Sequence, residues 1–249
     1  MLTDNYQQEL QDRLQIIRDT VEQVATSAGR NPADITLLPV SKTFPAEVIE
    51  QALKLGELRF GENKAQELRD KAQALHGTPA QWVMIGYLQS NNARYVARYA
   101  SEIQSLDRLS LAKTLQRRLE LEDRHLDALV QIKTSPEPSK YGLLPTEAAD
   151  FLAQIVEFCP RLHIKGLMTM AVNSEDENAV RACFKQLKDL QQQLKALNIN
   201  GVSLDRLSMG MSGDFTIAIE EGATEVRLGT AVFGYRKEQR DFYWPEDKS

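Results

Sequence analysis

Lys42 follows an apolar run in the stretch LLPVSKTFP, and a helix is expected to begin at Pro45. A lysine at the end of a buried strand sits where desolvating its ammonium costs free energy. Burial there lowers the pKa and favours the neutral amine that attacks an aldehyde. Taken alone, the simpler reading is a lysine that snorkels to water or pairs with Glu62. Near the other end of the chain, EVRLGTAVFG puts Arg227 on one strand face with Glu225 and then ends in Gly229-Thr230. Just upstream, SMGMSGDF leads Gly210, Ser212 and Gly213 into the helical pattern FTIAIEEG. Each loop alone is ordinary turn and cap chemistry. Two such loops at successive late strands, both running into helices and set opposite a strand-end lysine, point to a phosphate cradle.

For these residues to share a site, the fold must gather strand ends. Apolar strand-like runs recur at 35–40, 58–61, 82–85, 103–106, 126–132, 162–168, 204–208 and 226–228. Between them lie helical patterns such as PAEVIEQALKLG, LSLAKTLQRRLELE and ENAVRACFKQLKDLQQQLKALN. Strands that alternate with helices pair in parallel through crossovers. Eight such units predict an α/β fold, a single (β/α)8 TIM-type barrel. Residues 6–28 form an extra N-terminal helix outside it, with Leu10, Leu14, Ile17, Val21, Val24 and Ala28 as its apolar stripe. An open doubly wound sheet competes, but it often carries a GxGxxG turn after its first strand, and none is present. No linker or composition break divides the 249 residues, so one domain is expected over 1–249, with about 236–249 as a tail.

Chemistry in such a barrel sits at the C-terminal strand ends. That rule gathers Lys42, Glu62-Asn63 and the stretches 86–92, 134–142, 209–215 and 227–234. Lys140 in PSKYG is either a residue of the mouth or a solvated loop lysine. The charges in ELRDKAQ and LQRRLELED read as solvated helix faces. His76, His125 and His163 fall away from the rim and receive no catalytic role, while Trp82 and Met168 read as core or pocket wall.

A net charge of -5 and a pI near 5.4 give no basic field for nucleic acid. Cys159 and Cys183 lack the spacing of a disulfide framework or zinc site. The polar start MLTDNYQQEL is unlike a signal peptide, and no apolar run is long enough to cross a bilayer. A cytoplasmic protein is expected.

A rim lysine, a late-strand phosphate loop and an arginine just before that loop suggest pyridoxal 5'-phosphate (PLP). The stretches VSKTFP, RFGENKAQEL, IGYLQSNN, SKYG, GLMTM and LSMGMSGDFTIAIEEGATEVRLGTAVFG together resemble the pyridoxal-phosphate homeostasis protein family, in order along nearly the whole chain. That resemblance implies a barrel like that of alanine racemase, without the racemase's second β-domain. It implies that Lys42 forms the internal aldimine and that Arg227 faces the pyridine nitrogen. Ser212, Gly229 and Thr230 then match phosphate contacts, and Asn63 falls in the GEN motif near the lysine. Two positions depart from the pattern: Val83 stands where the family usually has histidine, and Asn92 where it tends to have lysine.

Arginine only donates hydrogen bonds, so it leaves the pyridine nitrogen unprotonated and the ring a poor electron sink. The expectation is therefore a monomeric, non-catalytic carrier of PLP involved in vitamin B6 and amino-acid homeostasis, with PLP-accepting apoenzymes as partners. Two alternatives stand beside it, a racemase-like enzyme using the same lysine and an interaction protein whose surface carries the function.

Overall fold

The N-terminal helix α1 (Tyr6–Ser27) buries Leu10, Leu14, Ile17, Val21 and Ala25. Ala28, expected on the stripe, caps the helix and is exposed, because a step of four from Val21 reaches Ala25 at 3.6 residues per turn. The computed structural model, which describes residues 5–137 and 141–234, then alternates strand and helix. The strands are β1 (Thr36–Pro39), β2 (Arg59–Glu62), β3 (Gln81–Met84), β4 (Ala100–Leu106), β5 (Leu126–Gln131), β6 (Leu162–Met168), β7 (Arg206–Ser208) and β8 (Glu225–Leu228). The helices after α1 are α2 (Ala46–Lys54), α3 (Ala65–Ala74), α4 (Ala93–Tyr99), α5 (Leu109–Leu121), α6 (Ala148–Phe158), α7 (Glu177–Ala196), α8 (Phe215–Glu220) and α9 (Thr230–Phe233).

All strand pairs are parallel, in the order β1-β8-β7-β6-β5-β4-β3-β2. A bridge between Val40 and Gly61, with Ser41 N–H donating to Gly61 O at 3.0 Å, joins β1 to β2. The expected (β/α)8 TIM-type barrel is therefore present. Its apolar runs are readable because parallel strands are buried on both faces. One set of buried side chains, including Phe60, Met84, Val226 and Leu228, packs against the helices. A second set, Leu38, Val40, Val83, Leu129 and Met168, is buried apart from that cluster, on the inward face. Leu38, Val40 and Ile85 lie 3.2–3.5 Å from where a Cβ on Gly61 would point.

α1 reaches the functional end of the barrel. Tyr6 OH donates to Phe233 O at 3.2 Å and Arg13 Nε to Val232 O at 2.8 Å, satisfying carbonyls at the end of the short α9. The helix outside the barrel thus pins the segment that follows β8. The proposed tail from about 236 lies outside the described residues.

Candidate functional site

The inward faces of β2, β4, β7 and β8 place four charged side chains at the N-terminal end of the barrel. Glu225, fully buried, accepts from Arg59 Nη1 at 2.8 Å and Arg206 Nη2 at 2.6 Å. Glu102 accepts from Arg59 Nη2 at 3.0 Å and Arg206 Nη1 at 2.6 Å. Burial alone would raise the Glu225 carboxyl, but Arg206 and Arg59 outweigh it and hold the group below its ordinary range. Its contribution to stability is therefore complete above about pH 4.5 and is lost as pH falls through the lowered folded value. Glu225→Ala is expected to destabilise the barrel by about 3–5 kcal/mol in urea unfolding, because two arginines lose a buried partner.

From this base a hydrogen-bond chain climbs to Arg227. Ser208 Oγ lies 2.7 Å from Gln104 Oε1 and 3.0 Å from Glu225 Oε1, and it accepts from Arg227 Nη1 at 2.8 Å. Arg227 Nη2 donates to Thr169 O at 2.8 Å. The guanidinium is nearly inaccessible, and burial lowers its pKa to about 10, with Glu225 and Asp214 opposing the fall. At neutral pH it remains a cation and a pure donor.

At the C-terminal rim, Lys42 is half-buried just past β1. Glu62, the carboxylate the sequence sets beside it, accepts from Ser41 Oγ at 2.6 Å and from Lys71 Nζ at 2.6 Å. Asn63 follows β2, and its Oδ1 is buried with no hydrogen-bond partner among the described residues. Gly86 permits this approach, since a Cβ there would lie 2.2 Å from Asn63 O. Across the rim, Thr230 Oγ1 and Ser212 Oγ meet at 3.4 Å. Gly210 sets up that loop with φ +94°, and a Cβ on it would lie 2.6 Å from Ala218 Cβ. Beside Gly229, an added Cβ would meet Val40 O at 3.4 Å and Val40 Cβ at 3.7 Å, an ordinary van der Waals contact with the end of β1.

β7, β8, β1 and β2 are consecutive neighbours, so Ser212, Arg227, Gly229, Thr230, Lys42 and Asn63 all come from one continuous half of the barrel. Lys140 lies outside the described residues. Val83 is fully buried, and the barrel interior keeps its polar network without a histidine there. Asn92 accepts from Gln66 Nε2 at 3.2 Å on the exposed surface. His125 and His163 stack at the opposite end, with ring centroids 4.8 Å apart. A groove of about 710 Å³ lined by Arg30, Asp34, Lys188, Arg206 and Glu221 also lies at that end. Its arginines are already committed: Arg30 to Ile219 O and Ala223 O, Arg206 to Glu102 and Glu225.

One sequence expectation is overturned here. ELRDKAQ is not simply a solvated face, because Lys71 is 6% exposed and sits beneath the lysine loop. The signal was its spacing: Leu68, Lys71 and Leu75 share the buried stripe of α3 and its cap.

The family model described as "Alanine racemase, N-terminal domain" matches residues 13–237. The pyridoxal phosphate homeostasis protein of Escherichia coli K12 is 40% identical over 223 residues, covering 88% of this chain and 94% of its own. The protein of the same name from Vibrio cholerae is 39% identical over 236 residues, covering 93% and 98%. PipY of Synechococcus elongatus PCC7942, solved with PLP bound, is 32% identical with a TM-score of 0.75, covering 86% of this chain and 100% of that one. An alanine racemase of Clostridium difficile, at 15% identity and a TM-score of 0.69, shares the fold over 92% of this chain and 57% of its own. Among the described residues no helix is long and apolar enough to cross a membrane. Fold, rim geometry and relatives agree: the chain belongs to the alanine racemase N-terminal-domain family and, within it, to the pyridoxal phosphate homeostasis proteins.

Proposed function

We propose that this protein is a cytoplasmic, monomeric carrier of PLP that holds the cofactor through Lys42 and releases it to apoenzymes, without robust catalysis of its own. The observation that carries the reading is the convergence at one rim of a half-buried lysine, a donor-only arginine and the paired hydroxyls of Ser212 and Thr230. The PLP bound in PipY and the name shared by the curated relatives support it.

The residues present fit the group. Ser212, Thr230 and the backbone at Gly229 offer donors for a phosphate, and the orphaned Asn63 Oδ1, just past β2, offers a buried acceptor. PLP, when bound, supplies an aldehyde for reversible attachment to an amine and an aromatic ring that accepts electrons. Lys42 provides the amine. Arg227, locked by Ser208 and Thr169, would meet the ring nitrogen as a cationic donor and could not take the place of a carboxylate that keeps that nitrogen protonated. The arrangement favours holding the cofactor over stabilising a carbanion.

The test is borohydride reduction of PLP-loaded protein, followed by peptide mapping and by incubation of unreduced protein with single-enantiomer alanine, serine and ornithine. The adduct is expected on Lys42, with no turnover above that of free PLP. Turnover well above that level, and lost in Lys42→Ala, would replace the carrier with an enzyme.

A further inference from the structure

Lys42 lies between two residues whose main chain is unusually constrained. Ser41 N–H donates to Gly61 O at 3.0 Å, and Ser41 O accepts from Phe44 N at 3.0 Å and from Lys71 Nζ at 2.7 Å. Ser41 Oγ donates to Glu62 Oε1 at 2.6 Å. On the other side, Thr43 N–H donates to Glu67 Oε1, and Thr43 sits at φ +70°, a costly conformation for a β-branched residue. Lys71 connects the two sides. Its ammonium donates to Glu62 Oε1 at 2.6 Å, Glu67 Oε1 at 2.7 Å and Ser41 O, which uses all three of its protons.

We propose that Lys71, with Glu62 and Glu67, is a positioning device for Lys42: the three side chains fix the main chain on both sides of that lysine and so aim its amine at the incoming aldehyde. The proposal rests on Lys42 being the point of attachment. Energetics favour this role over a purely stabilising one. A buried cation between two carboxylates pays desolvation for three groups, and apolar residues of similar volume often stabilise a fold as well or better. What the ionic cluster adds is a set of directed bonds, three of which end on Ser41 and Thr43, the residues that flank Lys42.

Protonation of the cluster is poised. Burial raises the Glu62 carboxyl to about 7, with Lys71 pulling it down and Glu67 pushing it up. The clamp therefore changes charge near neutral pH, and removing Lys71 would move that change to higher pH. Attachment joins the Lys42 nitrogen to the aldehyde carbon as C=N and releases one water, and hydrolysis reverses it. An amine displaced by a fraction of an ångström loses rate in this step without losing noncovalent affinity.

The experiment compares full-length wild type with Lys71→Met, Lys71→Arg and Ser41→Ala. Attachment is followed by absorbance and confirmed by borohydride trapping between pH 6 and 9. Noncovalent binding is measured with pyridoxine 5'-phosphate, whose alcohol replaces the aldehyde. Lys71→Met is expected to slow attachment to Lys42 by about tenfold to a hundredfold, with affinity for the alcohol analogue within about twofold of wild type. The near-neutral inflection in its rate profile should move upward, and Lys71→Arg, which keeps a cationic donor, should recover part of the rate. Attachment at the wild-type rate, or affinity and rate falling together, would overturn the proposal. If Lys71→Met does not fold, Ser41→Ala decides, because it deletes only one hydroxyl of the clamp: slower attachment supports positioning and an unchanged rate refutes it. Absence of trapping on Lys42 in the wild type would instead refute the cofactor reading, and this proposal with it.

Discussion

Replacing Lys42 by alanine is expected to abolish the borohydride-trapped adduct completely while leaving a folded barrel that still binds PLP noncovalently. The covalent bond has one source, the side-chain amine, so its loss is total rather than graded. The fold should tolerate the change because other side chains hold the main chain on both sides of Lys42. Ser41 and Thr43 tie the flanking main chain to Glu62, Lys71 and Glu67, and those bonds survive the substitution. The cost in stability should be within about 1 kcal/mol, the range for a substitution outside the core. Mass spectrometry after reduction reads the adduct, and thermal unfolding reads the fold. An adduct that persists on Lys140, Lys71 or another lysine would remove Lys42 from its role.

The barrel was readable because its strands are short apolar runs separated by amphipathic helices, and the eight expected runs all fall on strands. Boundaries slipped where strands carry inward polar residues. β4 begins at Ala100 rather than 103 because Ser101 and Glu102 read as polar loop residues, although Glu102 is buried in the closed interior. β7 is shorter than expected, beginning at Arg206, whose charge is answered by Glu102 and Glu225 from other strands. The same non-local pairing hid part of the site. Lys42 and the late loops announce themselves by position at strand ends, and the Glu225–Arg227 alternation was visible within one strand. Nothing local reveals that Arg59 and Arg206 bridge Glu102 and Glu225, since their partners lie as far as 166 residues away in sequence. Lys71 was hidden differently: it stands among charges, and only its register with Leu68 and Leu75 separates it from a solvated neighbour.

Removing the phosphate from the ligand should weaken binding more than any single side-chain change at the rim. Ser212 and Thr230 approach one another from different loops at 3.4 Å, an arrangement in which both hydroxyls can donate to a shared anion. Each charge-assisted hydrogen bond contributes roughly 1.5–3 kcal/mol, so two of them place pyridoxal about 3–6 kcal/mol below its phosphate ester. That range corresponds to roughly 10²–10⁴ in Kd. Calorimetry on Lys42→Ala protein measures it without the contribution of covalent attachment. In that background Ser212→Ala with Thr230→Val should weaken the ester strongly and leave pyridoxal almost unchanged, since pyridoxal has nothing to offer those hydroxyls. Affinity for the ester should also fall below about pH 6, where the phosphate monoester dianion takes up a proton and loses half its charge. Equal Kd values for pyridoxal and the ester would place the anion site elsewhere and leave Ser212, Gly229 and Thr230 as turn and cap residues. A pH-independent difference between the two would keep the loops in contact with the ligand but deny that they recognise its charge.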